Sequence, residues 1–213
     1  MKTQTTVAVL GAGGHAKVVI ATLQAAGYES FMILDDARDK WGSRILGYTI
    51  AGPMSEVQAK NIQHGVIAIG SNYQRKEVAA RISLDWLSVI HPAATLHDSV
   101  VVGAGTVVFA GAVIQPDTVV GEHAIINTGA LVDHDGRIGD YSHIAPRAAL
   151  CGEVVIGEGG LVGVGASAVP GVRIGSWSTV GAGAAVVDDI PDRTVAVGIP
   201  ARAVSVQSKD GMR

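Results

Sequence analysis

One apolar column, repeated every six residues from Ile90 to Val186, limits what this chain can fold into more than any other feature. It runs Ile90, Leu96, Val102, Val108, Ile114, Val120, Ile126, Val132, Ile138, Ile144, Leu150, Ile156, Val162, Ala168, Ile174, Val180 and Val186 without a break. Four places further on, most hexads carry a small residue, among them Ala94, Thr106, Ala112, Ala124, Ala130, Ser142 and Ala148. A period of six fits neither the 3.6 of a helix nor the 2 of a lone strand, but it is the mark of a hexapeptide β-helix. Each hexad is a short flat strand plus a corner, and three hexads close a triangular coil. The aliphatic residue points into the prism and stacks on its counterparts above and below. The second inward slot lies near a corner, where Val100, Val154 and Val172 are the tighter exceptions to a small side chain. About five coils at roughly 4.8 Å each make a prism on the order of 25 Å tall. No hexad is interrupted, so no long loop leaves a coil.

The register also settles a segment that invites misreading. Residues 99–116 carry no charge and could pass for a membrane span. The hexads run straight through them, with Gly103, Gly105 and Gly111 in place, so they read as prism. A net charge of −3 offers no basic surface to nucleic acid or anionic membrane. A single cysteine, Cys151, excludes an intrachain disulfide and suits a reducing compartment. Beside the core residue Leu150 it reads as a small side chain rather than a nucleophile. The N-terminal apolar run lacks a signal-peptide layout and reads as a first strand, so a cytoplasmic location is expected. No Cys/His cluster has ligand spacing, so no metal is expected.

Ahead of the ladder, strand and helix patterns alternate. Residues 6–10 read as a buried strand, and GAGGHAK at 11–17 as a tight turn that opens a helix over 18–26, with Gly27 its C-cap. Strands are expected at 31–34 and 66–69, a variable loop at 37–52, helices at 53–60 and 74–82, and a last short strand at 86–89. This order implies a small parallel sheet with helices around it. Gly11-x-Gly13-x-x-Ala16 between strand and helix, with Asp35 at the end of the next strand, matches a nucleotide-binding fingerprint. Main-chain amides and a helix N-terminus can hold phosphate there, and a carboxylate can hold ribose or base. About 85 residues accommodate only one mononucleotide-binding half. A nucleotide attached to something smaller than a second nucleotide therefore fits better than NAD.

Several stretches, GAGGHAK at 11–17, LDD at 34–36, AIGSN at 68–72, INTGALVDHD at 126–135, IGDYSHIAP at 138–146 and VGIPAR at 197–202, carry a family resemblance over essentially the whole length. The chain resembles the nucleotide-sugar acyltransferases that join an N-terminal half-Rossmann domain to a left-handed parallel β-helix. These include UDP-4-amino-sugar N-acetyltransferases of the bacillosamine pathway, GDP-perosamine N-acetyltransferases and sialic acid O-acetyltransferases. The resemblance implies a nucleotide-sugar-binding α/β domain at 1–88, a β-helix domain for acetyl-CoA and catalysis at 89–190, and a C-terminal tail at 191–213. It implies a homotrimer with active sites between neighbouring prisms. It implies acetyl-CoA as co-substrate, without a metal, and transfer to the 4-amino group of a nucleotide-linked 4-amino-4,6-dideoxyhexose. UDP is favoured over GDP or dTDP because LDD is most similar to the UDP-using members. In the roles implied, His134 is the base and Asp135 orients it, although many bacillosamine-type members have Glu there. His143 donates to the thioester carbonyl, and Asn127 touches the sugar. Gly13, Gly14, His15, Asp35, Asp36 and Gly70 hold the nucleotide-sugar, and main-chain groups near Val164 and Ala182 hold the pantetheine arm.

The spacing of these residues can be checked against the chemistry. His134 is third in its hexad, a solvent-facing slot. An imidazole near pKa 6.5 beside a carboxylate suits the removal of a proton from an attacking amine. A thioester is already activated, so no covalent intermediate is needed, and a positioned donor can stabilise the charge that builds on its oxygen. His134 and His143 are half a coil apart, near opposite sides of the triangle, so both can act on one substrate only across two subunits. Val164 and Ala182 are one coil apart and stack. Asp133 and Asp135 flank His134, and alternation leaves open which of them meets the ring. His15 is either a ligand contact or a helix cap, and His64, His91, His97 and His123 read as surface or loop residues. The alternatives are GDP-perosamine N-acetylation, sialic acid O-acetylation, or a non-catalytic nucleotide-binding trimer.

Overall fold

A computed structural model describes residues 3–206. The N-terminal part is a six-stranded sheet in the order β3-β4-β2-β1-β5-β6, formed by β1 (Thr3–Leu10), β2 (Tyr28–Leu34), β3 (Arg44–Ile45), β4 (Tyr48–Gly52), β5 (His64–Ile67) and β6 (Asp85–Trp86). Three helices connect or flank these strands: α1 (Gly14–Ala25), α2 (Glu56–Ala59) and α3 (Asn72–Arg81). β1 is central and pairs in parallel with both β2 and β5, and both of its faces are covered, Val7 and Val9 packing with Val19 and Ile20 of α1 and Ala8 and Leu10 with Val57 and Val78 on the other side, so Val7 to Leu10 are fully inaccessible. That is why this stretch reads as an unbroken apolar run rather than an alternating one.

Two expectations for this part change. The segment expected as a loop at 37–52 contains the β3–β4 hairpin, and β4 adds to the sheet in parallel beside β2. Its apolar residues Ile45 and Ile50 are buried, but β3 has only two residues and β4 only five, with a single large aliphatic residue, too little to leave a clear periodic signal. The strand expected at 86–89 divides in two. Asp85 and Trp86 pair with β5, whereas Val89 and Ile90 already form the first rung of the prism.

From Val89 the chain winds as the ladder predicts. The first face stacks Val89–Ile90, Val107–Val108, Ile125–Ile126, His143–Ile144, Leu161–Val162 and Thr179–Val180. The second stacks Thr95–Leu96, Val113–Ile114, Leu131–Val132, Ala149–Leu150, Ser167–Ala168 and Ala185–Val186. The third stacks Val101–Val102, Val119–Val120, Arg137–Ile138, Val155–Ile156 and Arg173–Ile174. Every pairing among these strands is parallel and in an 18-residue register, such as Ile126 with Ile144. From Val108 to Val186 no column residue is more than 2% exposed. The lower end is less covered, with Ile90 at 38%.

The ladder continues past residue 190. Thr194–Val197 joins the first face beside Thr179–Val180, and Arg202–Val206 folds back on it antiparallel. Ile190, Ala196 and Ala201 close the core at that end. The rest of the segment expected as a tail, 207–213, lies outside the described residues.

From Gly105 to Gly183 each corner carries one residue with positive φ. In the corner between the third and first faces these are Gly105, His123, Tyr141, Gly159 and Trp177. His123 is therefore no surface residue. It is 2% exposed, stacked on Tyr141 at 5.3 Å and 7°, with the Trp86 ring edge-on at 5.0 Å. Hexad phase says that this slot points outward, but not that the N-terminal part is packed against it. His91 and His97 do lie at the surface, where each ring Nδ1 accepts a nearby main-chain amide. His64 is half-buried at the start of β5, 3.9 Å from Asp85.

Candidate functional site

The turn after β1 shapes a cleft of about 960 Å³ whose lining includes Gly11 to His15, Asp35, Asp36, Lys40, Gly70 and Arg81. Gly11 has φ +109°, and a Cβ there would come within 2.8 Å of Ile69 and 3.0 Å of the Ala68 carbonyl. Only glycine lets the chain turn this close to the end of β5. A Cβ at Gly13 or Gly14 would meet nothing within 4 Å, so these two keep the rim of the cleft open. α1 starts at Gly14 without a side-chain cap, earlier than the pattern at 18–26 suggests. The N-termini of α1 and α3 both border the cleft, which favours an anionic ligand.

Asp35 and Asp36 line the cleft, but both carboxylates are engaged by their own chain. Asp35 accepts the amides of Ala12 (2.7 Å) and Ala37 (2.8 Å) and the Lys40 ammonium (2.9 Å). Burial alone would raise its pKa; the Lys40 bond and charge and the two amides outweigh this and hold it below the usual value. Asp36 accepts the Met54 amide at 2.9 Å and pairs with Arg81. These aspartates tie the glycine turn and α3 to the end of β2, so LDD is first a frame for the cleft.

His15 lies between the cleft and the prism. Its ring is 5.4 Å from Phe109 and 6.3 Å from His143, both on the first face. It caps no helix, being the second residue of α1, and its Nε2 is buried without a hydrogen-bond partner among the described residues. Burial, and then the charge of Arg75, push its pKa down to about 4. His143 is pushed down to about 3 by burial, Arg75 and His15, against a hydrogen bond with the Gly70 backbone. Both imidazoles are neutral at physiological pH.

Asn127 reads the tautomer of His143. Its Oδ1 accepts the Thr128 amide at 2.8 Å, which fixes the amide orientation and turns Nδ2 toward His143 Nε2 at 2.9 Å. Nε2 therefore accepts, and the ring proton resides on Nδ1. Asn127 and His143 meet as a pair, and donation from Nε2 to a thioester would first require that bond to be exchanged.

His134 stands elsewhere, on the corner between the second and third faces, opposite the first face. Its side chain is 55% exposed, and Nδ1 lies 2.8 Å from Asp135 Oδ2. Asp135 has φ +58°, and this left-handed turn swings its carboxylate onto the imidazole despite the alternation of the sequence. Asp133 instead accepts the His134 amide at 2.8 Å. The Asp135 hydrogen bond raises the His134 pKa; desolvation opposes it, and the charges of Asp133, Asp135 and Glu153 add to it. Gly152, one coil above, makes room for the ring: a Cβ there would be 2.5 Å from Cε1.

Val164 and Ala182 stack on the corner between the first and second faces, both exposed, with the Gly183 amide donating to the Val164 carbonyl at 2.8 Å. One protomer thus brings together the cleft, His15, His143 and Asn127, and leaves His134 and Asp135 apart. Among the described residues no group of three or more His, Cys, Asp or Glu could hold a metal ion, and no helix is long and apolar enough to cross a membrane.

Sequence reasoning passed over Arg75, which is 1% exposed. Its Nε donates to His123 O (2.7 Å), Nη1 to Ile69 O (3.0 Å) and Gly70 O (3.3 Å), and Nη2 to Asn72 Oδ1 (2.8 Å), Tyr141 O (2.7 Å) and Ser142 O (3.2 Å). Burial pulls the guanidinium down to about 9, which leaves it charged at neutral pH. An arginine in a short polar helix looks like a solvated face; its nearness to AIGSN at 68–72 was the one hint.

Comparison with known proteins agrees with this layout. Residues 6–82 match the model of the PglD N-terminal domain. UDP-N-acetylbacillosamine N-acetyltransferase of Bacillus subtilis is 44% identical over 111 residues, 49% of this chain and 51% of that protein, so the match spans about half of that relative's length. PerB from Caulobacter crescentus, solved in complex with CoA and GDP-perosamine, superposes with a TM-score of 0.89 at 39% identity, covering 95% of this chain and 99% of PerB. The chain belongs to the PglD-type family of sugar N-acetyltransferases. The acetyltransferase domain of PglB from Neisseria gonorrhoeae, another such structure, matches with a TM-score of 0.86 at 37% identity over 94% of this chain and 100% of that domain. It has also been solved with acetyl coenzyme A. With these relatives, the three stacked parallel faces fit the left-handed β-helix of the family, preceded by its α/β unit.

Proposed function

We propose that this protein transfers the acetyl group of acetyl-CoA to the 4-amino group of a nucleotide-linked 4-amino-4,6-dideoxyhexose. The observation that carries the reading is the His134–Asp135 pair, 2.8 Å apart on an exposed corner. Asp135 holds the Nδ1 proton, which leaves the Nε2 lone pair to take a proton from an ammonium-forming intermediate. The amine attacks the thioester carbonyl, the C–N bond forms and the C–S bond then breaks, and the proton that His134 takes from the nitrogen is passed on to the departing thiolate, so that CoA leaves as the thiol and His134 returns to its neutral form. Residues 1–88 serve as the nucleotide-sugar-binding domain and 89–190 as the acetyl-CoA-binding and catalytic domain. Gly13, Gly14 and Gly70 present main-chain groups to the diphosphate, with His15 next to the sugar. Asn127 and His143 lie beside the reacting centre, and the Val164–Ala182 edge receives the pantetheine arm.

A homotrimer completes the site, because His134 stands on the corner opposite the face that carries His143. A neighbouring prism would bring its His134 to the cleft of this one, as closed cyclic symmetry allows for every subunit at once. The bacillosamine-enzyme relative supports a UDP-linked substrate, and the PerB likeness supports a GDP-linked one as a second reading. The substrate acetyl-CoA suits a cytoplasmic enzyme. Thiol release from acetyl-CoA, measured with UDP-, GDP- and dTDP-linked 4-amino sugars and with free sialic acid, separates these readings. Turnover with sialic acid alone would overturn N-acetylation, and no turnover with any acceptor would favour a non-catalytic trimer.

A further inference from the structure

The corner between the third and first faces leaves the same main-chain atom open in each coil. The amides of His123, Tyr141, Gly159 and Trp177 donate to the carbonyls of Ala104, Glu122, Asp140 and Glu158, the residue before the left-handed position in the coil below. The carbonyl of the left-handed residue itself receives no ladder amide. Three of these in succession are capped by the first turn of α3. Arg75 takes His123 O and Tyr141 O, and Asn72 Nδ2 takes Gly159 O at 3.0 Å. Asn72 Oδ1 also accepts from Arg75, so the two side chains brace each other. Lys76 pairs with Glu158 and lies over the Tyr141 and Trp177 rings, while Tyr73 meets the edge of Trp177.

The opposite edge of the same guanidinium holds Ile69 O and Gly70 O, at the lip of the nucleotide cleft. Tyr141 and Ser142 directly precede His143. One planar group therefore touches both the loop that shapes the cleft and the strand that carries the imidazole beside it. We propose that Arg75 and Asn72 act as a positioning clamp, which sets His143 against the nucleotide-sugar cleft by capping the corner carbonyls that the coil ladder leaves open. Neither residue touches substrate. The clamp rests on the acetyl-transfer reading only for its kinetic consequence.

The test uses the full chain with Arg75→Lys, Arg75→Met and Asn72→Ala. Turnover is taken per folded site well below the melting temperature, and ¹H–¹⁵N spectra of the imidazole nitrogens are recorded. Lysine keeps the charge but not the planar fork, so both arginine variants lose the bridge between loop and strand. Expected are a fall in kcat of about tenfold or more for the Arg75 variants and a smaller fall for Asn72→Ala, with the acetyl-CoA KM within about threefold, because displacement of a group beside the reacting centre is costly. The His143 Nδ1–H signal should shift or broaden in each. A role confined to stability would lower the melting temperature but leave kcat per folded site and the His143 signal unchanged; that result overturns the proposal. If Arg75→Met does not fold, Asn72→Ala decides. If the wild type turns over no amino sugar, the proposed reaction fails, and the His143 spectrum still judges the clamp.

Discussion

Gly152→Ala tests whether the His134 geometry is the working one. An added Cβ would lie 2.5 Å from Cε1, 2.6 Å from Nε2 and 3.1 Å from Nδ1 of His134. Ordinary carbon contacts need about 3.5–4.0 Å, so the ring has to withdraw by roughly 1 Å. Gly152 is not among the positive-φ glycines, so alanine imposes no backbone strain. The His134 side chain is 55% exposed, and moving it vacates no core space. Stability should change by less than about 1 kcal/mol. The bond to Asp135, 2.8 Å now, would lengthen past hydrogen-bonding range.

A general base displaced by about 1 Å and freed from its carboxylate should lose on the order of 10²-fold in kcat, close to the loss from removing the imidazole. The assay is thiol release at saturating acetyl-CoA for the wild type, Gly152→Ala and His134→Ala, with melting temperatures alongside. Gly152→Ala combined with Asp135→Glu should regain part of the rate, because one more methylene lets the carboxylate follow the ring. If Gly152→Ala stays within twofold of the wild type while His134→Ala loses 10²-fold, the resting contact with Asp135 is not the catalytic one.

Four further outcomes are expected. His134 must be neutral to accept a proton, so kcat/KM should rise with pH through its raised pKa; Asp135→Asn should move that acidic limb to lower pH and reduce the plateau, read from a pH–rate profile. His143, held down to about 3, should contribute no limb above pH 5, so His143→Gln should leave the limb in place while changing kcat or KM. Arg75→Met strips the caps from at least three carbonyls at about 1–3 kcal/mol each, and differential scanning should show the melting temperature fall by about 10 °C or more. Co-expressing His134→Ala with Asn127→Ala chains should restore about a quarter of wild-type activity, since in randomly mixed trimers an intact cleft meets an intact neighbouring His134 at about one interface in four; no recovery would place both halves of the site in one subunit.

The prism was legible because its core is one-dimensional. Inward slots recur every six residues, and each must be filled by an aliphatic or small side chain whatever surrounds the prism. The slot of His134 follows from the same count. The choice between Asp133 and Asp135 does not, because it depends on the left-handed turn at Asp135, which inverts the alternation of side chains. His123 and Arg75 were hidden for a different reason. Both slots are outward by pattern, and their burial comes from one folded part seated on another, a contact with no period in the sequence. The aspartates of LDD sit where the nucleotide fingerprint puts them, yet their hydrogen bonds run to Ala12, Ala37, Lys40 and Met54, partners that only the folded turn supplies.

Docking on a repeat raises a problem of register, because every coil offers the same open carbonyl. Main-chain capping alone would let α3 sit one coil higher or lower at little cost. The side chains of the corner column remove that degeneracy. A Cβ at Gly159 would lie 2.4 Å from the Trp177 ring, so the ring fills the space beside that glycine, one coil from the Tyr141 ring. Trp177 then gives Tyr73 an edge to meet, and His123 with Tyr141 forms the stacked step on which Trp86 closes. The order His, Tyr, Gly, Trp fits α3 in one position only. A slip by one coil would matter for chemistry as well as packing. His143 is flanked in its own row by Ile125 below and Leu161 above, so a cleft seated one coil away would find an aliphatic side chain where the imidazole should be.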